Sequence, residues 1–172
     1  MKILIISDIH GDYKSLDSVI TKESFDKLIV LGDLLPYSYD YDDDLDYKIM
    51  NLLSKYKNKL VLIKGNCDKY IDFEAYDLYA HDEISLTLNN HIITFTHGHL
   101  YNKGFLPSYH GDIFISGHTH IPLLIKEKNI IYVNPGSIGR PRGISKKSYI
   151  IFDDKKIIIK DLDNNIQKEM TI

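Results

Sequence analysis

Short apolar runs, each cut off by a glycine or a charged residue, set the rhythm of the first half of the chain. Ile3–Ser7 reads as a strand buried on both faces, because its apolar positions are continuous rather than alternating. Asp12 is placed to cap a following helix, in which Tyr13, Leu16 and Ile20 recur at three- and four-residue spacing. Lys27–Leu31 gives a second buried strand, closed by Gly32-Asp33. Pro36–Asp46 reads as an irregular loop rich in Tyr and Asp, after which Leu45, Ile49, Leu52 and Tyr56 predict a second amphipathic helix. Leu60–Ile63 gives a third strand, closed by Gly65-Asn66.

The second half is written mostly in strands. Glu83–Leu88 and His91–Thr96 flank Asn89-Asn90, a pair suited to a tight hairpin turn. Asp112–Ser116 predicts another short strand, closed by Gly117-His118. Pro122–Lys126 and Ile130–Val133 follow, and Ser148–Phe152 with Lys155–Lys160 form a last hairpin across Asp153-Asp154. Strand–helix alternation followed by strands predicts an α/β protein with two mixed sheets packed together and helices outside.

Composition narrows the class. A chain of 172 residues fits one domain, residues 1–172, and is long enough to build a core without covalent staples. Hydrophobic residues at 44% and charged residues at 26% exclude disordered and low-complexity classes. The single cysteine, Cys67, excludes an intramolecular disulfide and a multi-cysteine zinc finger, and points to a reducing compartment. A net charge of −3 argues against an extended nucleic-acid-binding face. Apolar runs are too short for a transmembrane helix, and Ile3–Ser7 turns polar too soon for a signal peptide. A cytoplasmic protein is expected.

The chemistry gathers where strands end. Asp8-Ile9-His10-Gly11, Gly32-Asp33, Gly65-Asn66-Cys67-Asp68, His97-Gly98-His99 and Gly117-His118-Thr119-His120 each follow a predicted strand. In α/β sheets, polar turns at the carboxyl ends of strands converge on one crevice. One such turn alone is most simply a helix cap or a tight bend. Five in a single short chain are hard to produce by accident. Carboxylates, imidazoles and an amide oxygen without thiolates suit Mn²⁺, Fe, Ni²⁺, Co²⁺ or Zn²⁺.

These motifs, from Asp8 to His120, together with Asn134-Pro135-Gly136-Ser137, resemble those of the calcineurin-like metallophosphoesterase superfamily, in particular its compact bacterial and archaeal phosphodiesterase branch. The resemblance implies a four-layer fold, with two mixed sheets sandwiched between helices. It also implies a two-metal centre, with Mn²⁺ the first expectation. Asp8, His10 and His120 would hold one metal, Asn66, His97 and His118 the other, and Asp33 would bridge both. The implied reaction is hydrolysis of a small phosphodiester by in-line attack of a bridging hydroxide. A homo-oligomer is compatible with this picture. A non-catalytic binding module, like the retromer subunit that resembles this family, is the alternative.

One residue departs from the family pattern. Many relatives carry Gly-Asn-His-Asp, whose His helps to protonate the leaving group, whereas this chain has Cys67 at that place. A thiol with an unperturbed pKa of ~8.5 copies an imidazole at ~6.5 poorly. Either Cys67 is a small packing residue, or another group such as His99 supplies the proton, or good leaving groups are preferred. Asp68 would orient a ligating imidazole or cap the next turn. Arg140 and Arg142 would reach substrate phosphate or sit on a solvated loop. His81, His91 and His110 read as surface or structural residues. The acidic stretch Asp40–Asp46 reads as solvated, and Tyr37, Tyr39 and Tyr41 as an exposed loop or a subunit contact.

Overall fold

The computed structural model describes residues 1–36 and 43–172, with the side chain of Asp43 excepted. Tyr37, Tyr39, Tyr41 and the first part of the acidic stretch lie outside the described residues.

The apolar runs become strands as expected. Strand β1 (Ile3–Ile6) is buried at every position. Helix α1 (Tyr13–Lys22) begins at Asp12, whose carboxylate accepts the Ser15 N–H at 3.1 Å, and it buries Leu16, Val19 and Ile20. Strand β2 (Lys27–Val30) follows, then helix α2 (Asp43–Ser54) and strand β3 (Leu60–Ile63). The predicted loop is therefore shorter at its carboxyl end than expected. Asp46 is buried in the first turn of α2 rather than solvated, where the helix dipole favours a carboxylate.

Helix α3 (Tyr70–Glu74) and strand β4 (Ala80–His81) were not foreseen, being too short to show a period. Strand β4 closes the parallel run β1-β2-β3-β4. The hairpin of β5 (Glu83–Leu88) and β6 (His91–Thr96) turns at Asn89 and Asn90, both left-handed (φ 48° and 67°) as a type I′ turn requires. It opens a second sheet, which adds β7 (Ile113–Ser116), β8 (Leu123–Glu127) and β9 (Ile130–Asn134) in the order β5-β6-β7-β9-β8. The chain then returns to the first sheet. Strand β10 (Ser148–Phe152) runs antiparallel to β1, with Leu4 opposite Ile151, and is followed by β11 (Lys156–Asp161) and β12 (Ile166–Thr171). The last strand is an almost wholly exposed edge, so its sequence carries no burial pattern to read.

Both sheets are mixed, and strand alternation sorts their side chains into two cores. Ile3, Ile5, Ile29 and Leu31 meet Phe95, Ile113 and Ile115 between the sheets. Leu4, Ile6, Leu28 and Val30 face the other way, against Leu16, Ile49 and Leu53 of the helices. Burying one such Leu or Ile contributes about 1.5–3 kcal/mol. The outcome is an α/β sandwich of two mixed sheets. Among the described residues the helices lie over the seven-stranded sheet, while turns of the 98–111 segment accompany the outer face of the other. No described helix is long and apolar enough to cross a membrane.

Candidate metal centre

The ends of β1, β2, β3, β6 and β7 bring their turns to one edge of the sandwich. Asp8, His10, Asp33, His118 and His120 all have left-handed backbones, with φ between 45° and 66°. For non-glycine residues such a conformation costs about 1–3 kcal/mol each, and it persists only where the surroundings impose it. Here they do. The Asp8 and His10 N–H groups donate to the carbonyls of Gly32 and Asp33, lacing the first turn to the second. Gly32 (φ +87°) could carry no side chain, since a Cβ there would lie 2.5 Å from the Gly65 nitrogen and 2.9 Å from His97 Nδ1.

Each acidic side chain divides its two oxygens between scaffold and centre. Asp8 Oδ2 accepts the Ser7 hydroxyl at 2.6 Å and the His118 N–H at 3.1 Å. Its Oδ1 is buried without a well-aligned hydrogen bond, 3.2 Å from His120 Nε2 and 4.0 Å from His10 Nε2. Asp33 Oδ1 accepts the Cys67 N–H at 2.9 Å, while Oδ2 lies 3.4 Å from His97 Nε2 and 3.7 Å from His10 Nε2. An inward carboxylate oxygen with no donor of its own is suited to a cation.

The imidazoles are oriented in the same sense. His97 Nδ1 donates to the Leu31 carbonyl and His120 Nδ1 to the Arg140 carbonyl. A carbonyl only accepts, so in the neutral tautomers Nε2 keeps its lone pair and points inward. The Nε2 atoms of His10 and His120 lie 3.3 Å apart, and Asn66 Oδ1 lies 3.2 Å from His97 Nε2. Asp8, His10, Asp33 and His120 offer ligand atoms within 4.8 Å of one another, as do Asp33, His97 and His118. Asp33 belongs to both groups. The donor set, all nitrogen and oxygen, fits a divalent cation.

Burial pushes His10 down to about 4, even beside Asp33 and Asp8. Burial also works against a charged His97, but the Asp33 carboxylate outweighs it and raises the pKa; Asp8 does the same for His120. Burial alone would raise Asp33, yet the adjoining His97 ring and the hydrogen bond from the Cys67 N–H hold it well below the usual carboxylate range.

This arrangement decides the family. The chain belongs to the calcineurin-like phosphoesterase superfamily, whose domain model matches residues 1–156. It is 29% identical to phosphodiesterase YfcE of Escherichia coli over 166 residues, covering 90% of this chain and 88% of that protein. A probable metallophosphoesterase of Bacillus subtilis, YsnB, is 30% identical over 161 residues, covering 88% and 83%. The solved structure of YfcE, described as a phosphoesterase, superposes with a TM-score of 0.89 at 26% identity over the whole of both chains. Vps29 of Cryptosporidium parvum shares the fold, with a TM-score of 0.68 at 15% identity over 99% and 98% of the two chains. The protein is a metal-dependent phosphoesterase with side chains clustered to hold a divalent metal.

Other residues fall differently from expectation. Asp68 neither orients an imidazole nor caps α3, whose N-cap is Lys69. Its buried carboxylate instead accepts the N–H groups of Asp33, Leu34 and Gly65. Cys67 is half-buried, and its Sγ accepts from Asn66 Nδ2 at 3.3 Å. His99 stands beside the cluster, its ring 5.3 Å from His97, with burial and the charges of His97 and Lys64 lowering its pKa. Arg140 and Arg142 are exposed at the rim, and after burial and nearer neighbours their charges bear on His10 and His118 respectively. His91 of β6 pairs with Asp112, the residue before β7, a structural role, and His81 is exposed.

The sequence reading assigned no role to Ser7, Ser137 or Asn134. Ser137 Oγ donates to the Asp8 carbonyl at 2.6 Å and accepts the Arg140 N–H at 2.7 Å. Asn134 ties the end of β9 to the Gly117 carbonyl at 2.7 Å and to Thr119. A hydroxyl closing an otherwise apolar run, as at Ser7, was the available signal, because a buried polar group must find a partner.

Proposed function

We propose that this protein is a two-metal phosphodiesterase acting on a small diester. What supports the reading is the sharing of Asp33 between two groups of ligand-capable side chains. In it, Asp8, His10 and His120 hold one ion, Asn66, His97 and His118 hold a second, and Asp33 serves both. Mn²⁺ is the first candidate. When bound, the two ions would supply a water of lowered pKa and positive charge for the phosphoryl oxygens.

The remaining work belongs to the chain's own residues. Asp8 and Asp33 offset only part of the charge of two divalent ions, so the loaded site attracts an anion although the protein carries −3 overall. In this reading Arg140 and Arg142, exposed at the rim, would steady phosphate oxygens. The proton for the departing group is the weak point. Cys67 carries a thiol where many relatives carry an imidazole, and burial with the charges of His97 and Lys64 lowers the pKa of His99. Diesters with acidic leaving groups, which need little protonation, are therefore favoured. YfcE, itself named a phosphodiesterase, agrees with a diester substrate. The same reading treats residues 1–172 as one domain working in the cytoplasm.

The test is hydrolysis of bis-(para-nitrophenyl) phosphate. Turnover is expected with Mn²⁺, lost with a chelator and lost in Asp33→Ala, and the aryl monoester should react more slowly. Diesterase activity indifferent to both chelation and Asp33→Ala removes the reading. A non-catalytic binding module would show no diester turnover with any divalent ion.

A further inference from the structure

Next to the ligand cluster, on the outer face of the five-stranded sheet, lies a cavity of about 320 Å³. Its floor is Phe114 of β7, Leu123 of β8 and Tyr132 of β9, whose neighbours Ile113, Leu124 and Ile131 alternate into the core between the sheets. Phe114 and Tyr132 meet edge-on with ring centroids 6.3 Å apart. The cavity is roofed by a tight turn in which Asn102 and Phe105 exchange both backbone hydrogen bonds at 2.9 Å. Lys103, from that turn, lies 5.7 Å from the Tyr132 ring centroid and is ion-paired with Glu127, so its charge is already answered. At one end the cavity is bounded by His118, which also belongs to the ligand group with Asp33 and His97.

We infer that this cavity receives an aromatic ester substituent of the substrate, a flat system of one or two fused rings, while the phosphate is held at the ligand cluster. The inference rests on the phosphodiesterase reading. Leu123 and the exposed strip of Tyr132, backed by the buried Phe114 ring, form an apolar floor against which a planar ring is desolvated. The volume lies at the small end of ligand cavities, which fits a ring and excludes a bulky chain. Among the described residues no carboxylate lines the space to match a cationic group, and the one Lys or Arg there, Lys103, is engaged by Glu127, which disfavours a second phosphate. His118 joins the two sites, so a phosphoryl group at the cluster has a substituent within reach of the cavity mouth.

The test separates this cavity from the reaction. Naphthol carries the ring and no phosphate, so it should bind the chelator-stripped protein in ligand-observed NMR. Leu123→Trp, which fills the cavity, should weaken that binding about tenfold or more. In the metal-loaded protein the same substitution should raise KM for bis-(para-nitrophenyl) phosphate about fivefold or more, with metal content per chain unchanged. Should Leu123→Trp fail to fold, Leu123→Phe carries the same comparison. Naphthol that ignores the wild-type protein, or binds a folded variant equally well, overturns the inference. Naphthol binding blocked by Leu123→Trp in a protein without diesterase activity would instead uphold the cavity and sink the proposed reaction.

Discussion

The Asp68 carboxylate accepts the backbone N–H of Asp33 at 2.7 Å, so the residue common to both ligand groups is held through its main chain by a side chain from another strand end. The same carboxylate takes the N–H groups of Leu34 at 2.9 Å and Gly65 at 2.8 Å. It answers donors from two turns, Asp33 and Leu34 after β2 and Gly65 after β3.

Asp68→Ala leaves those buried donors unsatisfied. A loss of about 3 kcal/mol is expected, which corresponds to roughly 6–12 °C in the melting temperature of a chain this size. Calorimetry checks it. An unchanged midpoint would mean that water or a neighbouring side chain takes over the three bonds.

Ser137→Ala tests positioning at the centre. The hydroxyl joins the Asp8 carbonyl to the Arg140 N–H, and the Arg140 carbonyl in turn orients His120. Metal affinity should fall about 10–100-fold, the usual effect of removing such support. Titration with Mn²⁺ measures it; a purely structural serine would lower the melting temperature and leave affinity alone.

Cys67→His addresses the missing proton donor. The Cys67 N–H that holds Asp33 belongs to the backbone and survives the substitution. Rates on diesters with poor leaving groups should rise by about tenfold or more, and those on para-nitrophenyl esters by much less. Equal changes on both classes would count against leaving-group protonation as the limiting deficiency.

Acid stability should depend on Asp161. This buried carboxylate accepts from Asn165, Gln167 and Lys146. Burial alone would raise its pKa, but these bonds bring it down to about 2. A depressed carboxylate stabilises the fold above its unfolded pKa, so that stability is lost as pH falls from about 4 through 2. The contribution at neutral pH is up to about 2 kcal/mol. Asp161→Asn should lower stability at pH 7 and flatten its decline between pH 4 and 2. Parallel wild-type and variant curves in acid denaturation would refute this.

The sequence by itself determined the strands and the chemistry at their ends. Continuous runs such as Ile3–Ile6 must be buried on both faces, and the periodic Leu16 and Ile20 must face a core. Turns bearing Asp8, Asp33, Asn66, His97 and His118 follow directly, because glycine and polar residues end such runs. Helix α3 and edge strand β12 gave no signal, one being too short for a period and the other too exposed for a pattern. Only the tertiary structure decided what Asp68, Ser137 and Asn134 do. Their partners lie on other strand ends, up to 129 residues away, and a hydrogen bond between distant turns leaves no mark on local spacing. The aromatic cavity beside His118 arises in the same way, from three strands and a turn that meet only when the second sheet closes.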